Sequence, residues 1–359
     1  MAVIKILEIG SYPPPNNGWS VRIKHLKEAL EQEGNACKVL NLGKNRRIKN
    51  SEYIDVQNGF DYIKKLFLFN LKGYHTHIHM DANAVKGPIL VFWALFISLF
   101  RFNRAAVTFH GGINQRYFPR KSSGKMYLII YLNFLMAKVI ICNSEPIKKK
   151  IIHFGPFLSQ RKIHPIKAFS IQYLNYEKAN LPQEMEEYIQ KKKWVIFCYI
   201  VLRNGFFVET LIEFLKMRTP NTGVILTGIG EIEDEEIKGF YDQLCKFHKE
   251  SIVYMAENLS HDEFMTILSQ SSIYLRTPVS DGVSSSVLEA LSLKIPVVAS
   301  ENQKRPQSVF TYKSDDADDL RERIDFVLNN IHSVKNSIET PTIENTVKTE
   351  IDLLKQIFT

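Results

Sequence analysis

Asp281 and Glu289 stand one short loop apart in the stretch SDGVSSSVLEALSLKIPVVAS, residues 280–300. Two carboxylates in that setting can accept hydrogen bonds from the vicinal hydroxyls of a sugar or a ribose. Between them, Gly282, Val283, Ser284 and Ser285 offer backbone N–H groups at the entry to a helix. There the helix dipole and the unpaired amides of the first turn attract an anion, most often a phosphate. Arg276, just upstream in Arg276-Thr277-Pro278, can add a positive charge. Together these groups suit a sugar joined to a nucleotide through a pyrophosphate. Two plainer readings use the same residues. Ser286-x-x-Glu289 fits a capping box, in which Glu289 folds back onto the N–H of Ser286. Asp281-Gly282 fits an ordinary turn.

The elements that would position these groups can be read around them. SSIYLRTP, residues 271–278, reads as a strand ending at Pro278. A helix follows, with Val287, Leu288 and Leu291 on one face, and then a buried strand over Ile295–Val298. Strand, polar loop, helix and strand place a helix N-terminus at the carboxyl edge of a parallel sheet. The chain opens in the same manner. Val3–Ile9 is a strand, Gly10–Gly18 a Gly/Pro loop, Ser20–Glu33 a helix with Ile23, Leu26 and Leu30 on one face, and Lys38–Leu42 a strand. Gly18 would let the backbone come close to a ligand. The strand Ala105–Phe109 runs into His110-Gly111-Gly112, which puts His110 where ligands bind in such sheets. His75, His77 and His79 alternate along another strand and share one face. No acidic or cysteine residue is placed by the sequence to complete a metal site with them, so they read as strand or ligand-wall residues. The second half repeats the pattern, with strands over Trp194–Ile200, Gly223–Leu226 and Ile252–Met255, helices between them, and a last helix over Ile351–Phe358.

The stretch from Asp281-Gly282 to Glu289-Ala290, followed by Pro296-Val297-Val298-Ala299-Ser300, resembles the donor-site signature of the retaining family 4 glycosyltransferases. Arg276-Thr277-Pro278 and Arg305-Pro306 match accessory positions of that pattern. The first acid of the signature is usually Glu, so Asp281 is one methylene shorter. The resemblance implies an α/β chain of the GT-B type, with two Rossmann-like, doubly wound domains facing a cleft and a C-terminal helix returning to the first. It implies an acceptor domain over 1–172, a donor domain over 173–340 and the returning helix over 341–359. It implies hexosyl transfer, with retention, from a nucleotide-diphosphate sugar to a saccharide or lipid-linked acceptor in polysaccharide or glycoconjugate synthesis. Glu289 would take the ribose hydroxyls and Asp281 those of the donor sugar. His110 and Gly18 would line the first-domain side. The leaving diphosphate needs positive charge without a metal, and no metal or other cofactor is expected. Family members supply an Arg and a Lys in that role; here the matching region offers only Arg203, with Arg276 as a replacement. That departure keeps two alternatives open: a weakened nucleotide-sugar-binding partner subunit, and a GT-B epimerase or hydrolase.

With 359 residues, two domains are expected. Cys37, Cys142, Cys198 and Cys245 are widely separated and read as thiols of a reducing, cytoplasmic setting rather than a disulfide or metal framework. No leader pattern precedes the first strand. The net charge of +8 hides an asymmetry: residues 1–170 hold 26 Lys and Arg against 9 Asp and Glu, and the remainder 20 against 29. A basic first half suggests an anionic partner such as a lipid headgroup surface or a lipid-diphosphate acceptor. Nucleic acid is excluded as a partner because the aromatics lie in core-like runs rather than among the basic stretches. The apolar run Pro88–Phe102 is too short to span a bilayer. It reads as a core helix, with a helix face resting on a membrane as the second possibility.

Overall fold

The structure is a computed structural model that describes residues 3–14, 18–100, 105–112, 115–119, 124–202, 205–229, 235–256, 259–279 and 284–358. It divides into two compact units, Met1–Gln172 with Ile343–Thr359, and Tyr173–Thr342.

In the first unit strands and helices alternate: β1 (Lys5–Gly10), α1 (Gly18–Gln32), β2 (Ala36–Asn41), α2 (Gly59–Leu71), β3 (His75–Met80), α3 (Lys86–Phe100), β4 (Ala105–Phe109), α4 (Gly124–Met136), β5 (Val139–Cys142), α5 (Glu145–Ile152) and β6 (Ile163–Pro165). The six strands form one parallel sheet in the order β2-β1-β3-β4-β5-β6. A parallel sheet is covered on both faces, and its strands here are near-continuous buried runs. Leu7, Ile9, Ile78, Val107 and Phe109 feed one core. Ile6, Ala106 and Ile141, on the other face, pack with Leu26 and Leu30 of α1.

The second unit carries α6 (Gln183–Gln190), β7 (Trp194–Tyr199), α7 (Val208–Met217), β8 (Thr222–Thr227), α8 (Glu235–Lys249), β9 (Val253–Ala256), α9 (His261–Gln270), β10 (Ile273–Arg276), α10 (Ser285–Ser292), β11 (Val297–Ser300), β12 (Val309–Tyr312), α11 (Ala317–Asn329) and α12 (Ile331–Ser337). Its six strands are also all parallel, in the order β12-β11-β10-β7-β8-β9. The last helix, α13 (Thr346–Phe358), belongs to the first unit. Val347, Ile351, Leu354, Ile357 and Phe358 of α13 join the core face that α1 covers. The returning C-terminal helix expected from the sequence is therefore present, and it begins five residues earlier than Ile351.

In both sheets the strand order turns back once, between β1 and β3 and between β7 and β10. Crossovers leave on opposite faces at such a point. The loops separate there and open a crevice at the carboxyl ends of the strands. The apolar run read as a core helix is α3. Val91, Ala94, Leu95 and Ile97 are buried, while Trp93, Phe96, Leu99 and Phe100 are exposed.

Candidate functional site

Each unit carries candidate groups at the turning point of its own sheet. In the second unit, Arg276 is the last residue of β10 and Tyr199 the last of β7, the two strands that flank the turn. Arg276 is buried, with its guanidinium over the rings of Tyr199 at 5.3 Å and Phe206 at 5.7 Å. Its Nη1 donates to the Tyr199 carbonyl at 3.4 Å. Cation–π contacts of this kind hold a guanidinium in place. Arg203, Asp281, Gly282 and Val283 lie outside the described residues.

The helix expected after the donor loop is α10, with Ser284 as its N-cap residue and Ser285 in its first turn. Two contacts fix its entry. Tyr274 of β10, fully buried, donates its hydroxyl to Ser286 Oγ at 2.6 Å, and Ser286 Oγ meets Ser284 Oγ at 2.9 Å. Arg305 ties the flanking strands together: Nη2 donates to the Pro278 carbonyl at 2.7 Å and Nε to the Ser300 carbonyl at 3.0 Å. The Arg305-Pro306 pattern thus serves to hold the end of β10 against the end of β11.

Glu289 lies on the buried face of α10 beside Val287, Ala290 and Leu291. The capping box that Ser286-x-x-Glu289 suggests does not form. The cap is Ser284 and not Ser286, it makes no side-chain cap bond, and Ser286 is engaged by Tyr274. Glu289 is 6% exposed, and no hydrogen bond or ion pair reaches its carboxylate among the described residues. Burial alone pushes that carboxyl up to about 8. A buried acid without a partner is unfavourable for the fold, and such groups concentrate at ligand sites.

In the first unit, the side chains of β1, β3 and β4 that face α1 and α13 include a connected polar cluster. Strand pairing sets Glu8 opposite His77. Glu8 Oε1 meets His77 Nδ1 at 2.9 Å, and Oε2 meets His79 Nε2 at 3.1 Å. His77 Nε2 reaches Thr108 Oγ1 at 2.8 Å, and Thr108 donates to Glu350 of α13 at 2.9 Å. Glu350 pairs with Arg22 of α1, whose Nε donates at 2.6 Å and whose Nη1 donates to the Ala168 carbonyl at 2.8 Å. His79 Nδ1 meets His110 Nε2 at 2.7 Å. All seven side chains are buried.

Burial pushes the Glu8 carboxyl up, but the charge and hydrogen bond of His77, with a second bond from His79, outweigh it and hold the group below the usual carboxylate range. Burial depresses His77, yet Glu8 and Glu350 raise it above an ordinary imidazole. His79 is pushed down to about 3 by burial, and His110 falls well below its ordinary value through burial and the positive charges of Arg22 and His77. The surroundings thus favour the carboxylate at Glu8, the protonated ring at His77 and neutral rings at His79 and His110.

The sequence shows no acid placed to complete a metal set with the strand histidines; the fold supplies one, because β1 lies beside β3. Glu8, His77 and His79 bring ligand-type atoms within 4.8 Å of one another. Each of the facing nitrogens is hydrogen-bonded to the Glu8 carboxylate. His75, the third histidine of that face, stacks on Phe358 instead.

His110 sits at the carboxyl end of β4 as expected. Its ring stacks on Trp19 at 4.4 Å, next to Gly18, which opens α1 and is exposed. The turn that follows is clamped by Gln115, whose Nε2 donates to the carbonyls of His110 at 3.0 Å and Gly112 at 3.1 Å. Gly111 between them has φ +94°, and a Cβ there would lie 2.9 Å from Gln115 Nε2. Only glycine fits both demands. Gly18 and His110 are therefore brought together, while Glu8, Arg22, Gln115 and Glu350 were not found from the sequence and His79 was read only as a strand or wall residue. Glu350 did carry a signal: it interrupts the apolar stripe Val347, Ile351, Leu354, where a charge requires a buried partner.

No family model matches the chain, and no curated protein does. Among solved structures, the fold is similar to that of Anabaena Alr3699/HepE in complex with UDP, with 14% identity and a TM-score of 0.66 over 99% of this chain and 96% of that one. It is also similar to a glycosyltransferase from Rickettsia africae ESF-5, with 13% identity and a TM-score of 0.65 over 98% of each chain. A UDP-N-acetylglucosamine 2-epimerase matches with 11% identity and a TM-score of 0.63 over 99% of this chain and 97% of that one. These likenesses establish the GT-B fold, with its two Rossmann-like units.

Proposed function

We propose that this chain is a nucleotide-sugar glycosyltransferase. It would move a hexosyl group, with retention, from a nucleoside-diphosphate sugar to a saccharide or lipid-linked acceptor. The second unit takes the donor and the first the acceptor. The observation that carries this reading is Glu289, a buried carboxylate without a partner on the helix that follows β10 at the turning point of its sheet. A ribose offers two adjacent hydroxyl donors, which such a carboxylate can accept. Arg276 and the first-turn amides at Ser284 and Ser285 face the charge that develops on the leaving diphosphate, with Arg203 as a second cation. Asp281, with the amides of Gly282 and Val283, takes the donor sugar. Uridine is the first base to test, because HepE has been solved with UDP and with UDP-glucose.

The reading is tested by thermal shift with a panel of UDP-, GDP- and other nucleotide sugars. One donor class should raise the midpoint in a concentration-dependent way. No shift with any of them would remove the proposal. Arg276→Ala should lower turnover by roughly tenfold or more while the protein stays folded, the scale of losing one charge-stabilising group. Turnover equal to wild type would take Arg276 out of the diphosphate site. The likeness to a 2-epimerase favours one second reading, isomerisation of the nucleotide sugar itself. Analysis of products formed without any acceptor distinguishes the two.

No helix among the described residues is long and apolar enough to cross a membrane. For a lipid-linked acceptor, we propose that the first unit rests on an anionic membrane surface through α3. Its exposed Trp93, Phe96, Leu99 and Phe100 would enter the interface, while the excess of Lys and Arg in residues 1–170 meets the headgroups. The double variant Trp93→Ser, Phe100→Ser should sediment with phosphatidylglycerol vesicles several-fold less than wild type. Equal sedimentation would remove the membrane from the account.

A further inference from the structure

The buried chain that ends at His110 decides which of its ring nitrogens carries hydrogen. A carboxylate only accepts, so both imidazole nitrogens facing Glu8, His77 Nδ1 and His79 Nε2, must donate. His79 is neutral in this setting, so its Nδ1 is a lone pair. The contact of 2.7 Å between that Nδ1 and His110 Nε2 then requires hydrogen on His110 Nε2. A neutral His110 is left with an unprotonated Nδ1, to which nothing hydrogen-bonds among the described residues. Turning the ring over about Cβ–Cγ would set Cε1 in place of Nε2 against His79 and lose that bond, and Trp19 stacks on the face of the ring as it stands. The far end of the chain is anchored in the same way, through His77, Thr108 and Glu350 to Arg22.

We propose that Glu8 and His79 are positioning residues that fix His110 as the Nε2–H tautomer, so that its Nδ1 accepts a hydrogen bond from a saccharide hydroxyl at the carboxyl edge of the first sheet. The saccharide half of this statement rests on the glycosyltransferase reading; the tautomer half does not. The chemistry it selects is a hydroxyl donor, and a carbonyl or carboxylate oxygen would be refused at that nitrogen.

The full chain labelled with nitrogen-15 histidine gives the test. Long-range proton–nitrogen correlation, with His110 assigned by comparison with His110→Gln, should show hydrogen on Nε2 and a bare Nδ1. Glu8→Gln should reverse or mix the pattern: an amide N–H facing His79 makes that ring accept there, moves its hydrogen to Nδ1 and leaves His110 Nε2 as the acceptor. In the transfer assay the same variant should lose roughly tenfold to a hundredfold in kcat, the range for a misplaced contact, with KM for the donor unchanged. Hydrogen on Nδ1 in the wild-type protein would overturn the proposal, whether or not the variant folds. So would a folded Glu8→Gln protein with the wild-type pattern. Titration of the wild-type chain with zinc is the remaining arm. Stoichiometric binding that removes the ring hydrogens of His77 and His79 would make the cluster a metal centre and overturn the proposal. A tautomer that behaves as expected in a protein with no transfer activity would leave the positioning intact and remove the glycosyltransferase reading instead.

Discussion

Glu289→Gln is expected to make the protein more stable and at the same time to impair donor binding. The wild-type carboxyl has its ordinary value in the unfolded chain and is pushed up to about 8 by burial in the fold. Between those values the folded state holds more protons than the unfolded state, so stability falls as pH rises through that window. The penalty is complete above pH 8 and amounts to about 4 to 5 kcal/mol at most. Glutamine has nearly the same shape and no charge to desolvate, so the variant escapes it. Urea unfolding at pH 5 and pH 8 should show a small gain at the lower value and a large one at the higher. A gain independent of pH would mean that the carboxylate is not desolvated. The ligand side has the opposite sign. Hydrogen bonds to a charged acceptor contribute about 1.5 to 3 kcal/mol, so donor affinity should fall by roughly tenfold to a hundredfold. A fold that tolerates this strain at one helix position, next to a sheet's turning point, retains it for the ligand.

Arg22→Met should be strongly destabilising, by about 3 to 5 kcal/mol. Both Arg22 and Glu350 are buried, so removing the guanidinium leaves the Glu350 carboxylate with only the His77 ring, already shared with Glu8, as a counter-charge. It also removes the donors to the Lys167 and Ala168 carbonyls, which hold the segment before the domain boundary. Because the pair joins α1 to α13, the first consequence should be release of the C-terminal helix, read as early proteolytic cleavage after Ile343. Arg22→Met combined with Glu350→Leu should recover much of the loss, since an apolar pair of similar volume has no desolvation penalty to offset. If the double variant is no better than the single, the ion pair is not what the loss measures.

Most of the scaffold was legible because buried parallel strands and amphipathic helices leave strong local patterns. The apolar run Val3–Ile9, the stripe Ile23, Leu26, Leu30 and the run Trp194–Ile200 each sit within two residues of their elements. Two of the four edge strands, β6 and β12, were missed. Neither Ile163–Pro165 nor Val309–Tyr312 was read as a strand, because runs of three and four residues are too short to show a period. The donor helix was legible from its signature, but its cap was not. Ser284 and Ser286 both fit the pattern, and only the hydroxyl of Tyr274 from the neighbouring strand decides between them. The histidine cluster was half legible. The strand period put His77 and His79 on one face, but Glu8 reaches them only through the pairing of β1 with β3, a contact between residues far apart in sequence. Long-range pairing of that kind leaves no local trace.

The central claim is that the second unit grips a nucleoside-diphosphate sugar through the Glu289 carboxylate. Calorimetric titration of UDP-glucose, or of whichever donor the thermal panel selects, into wild-type and Glu289→Gln protein tests it directly at pH 7. At that pH the empty wild-type site holds a proton on Glu289. Ribose hydroxyls favour the ionised form, so binding should release close to one proton, seen as a dependence of the heat on the buffer's ionisation enthalpy. The variant should release none and bind roughly tenfold or more weakly. Equal affinity for both proteins, with no proton released by either, would contradict the account.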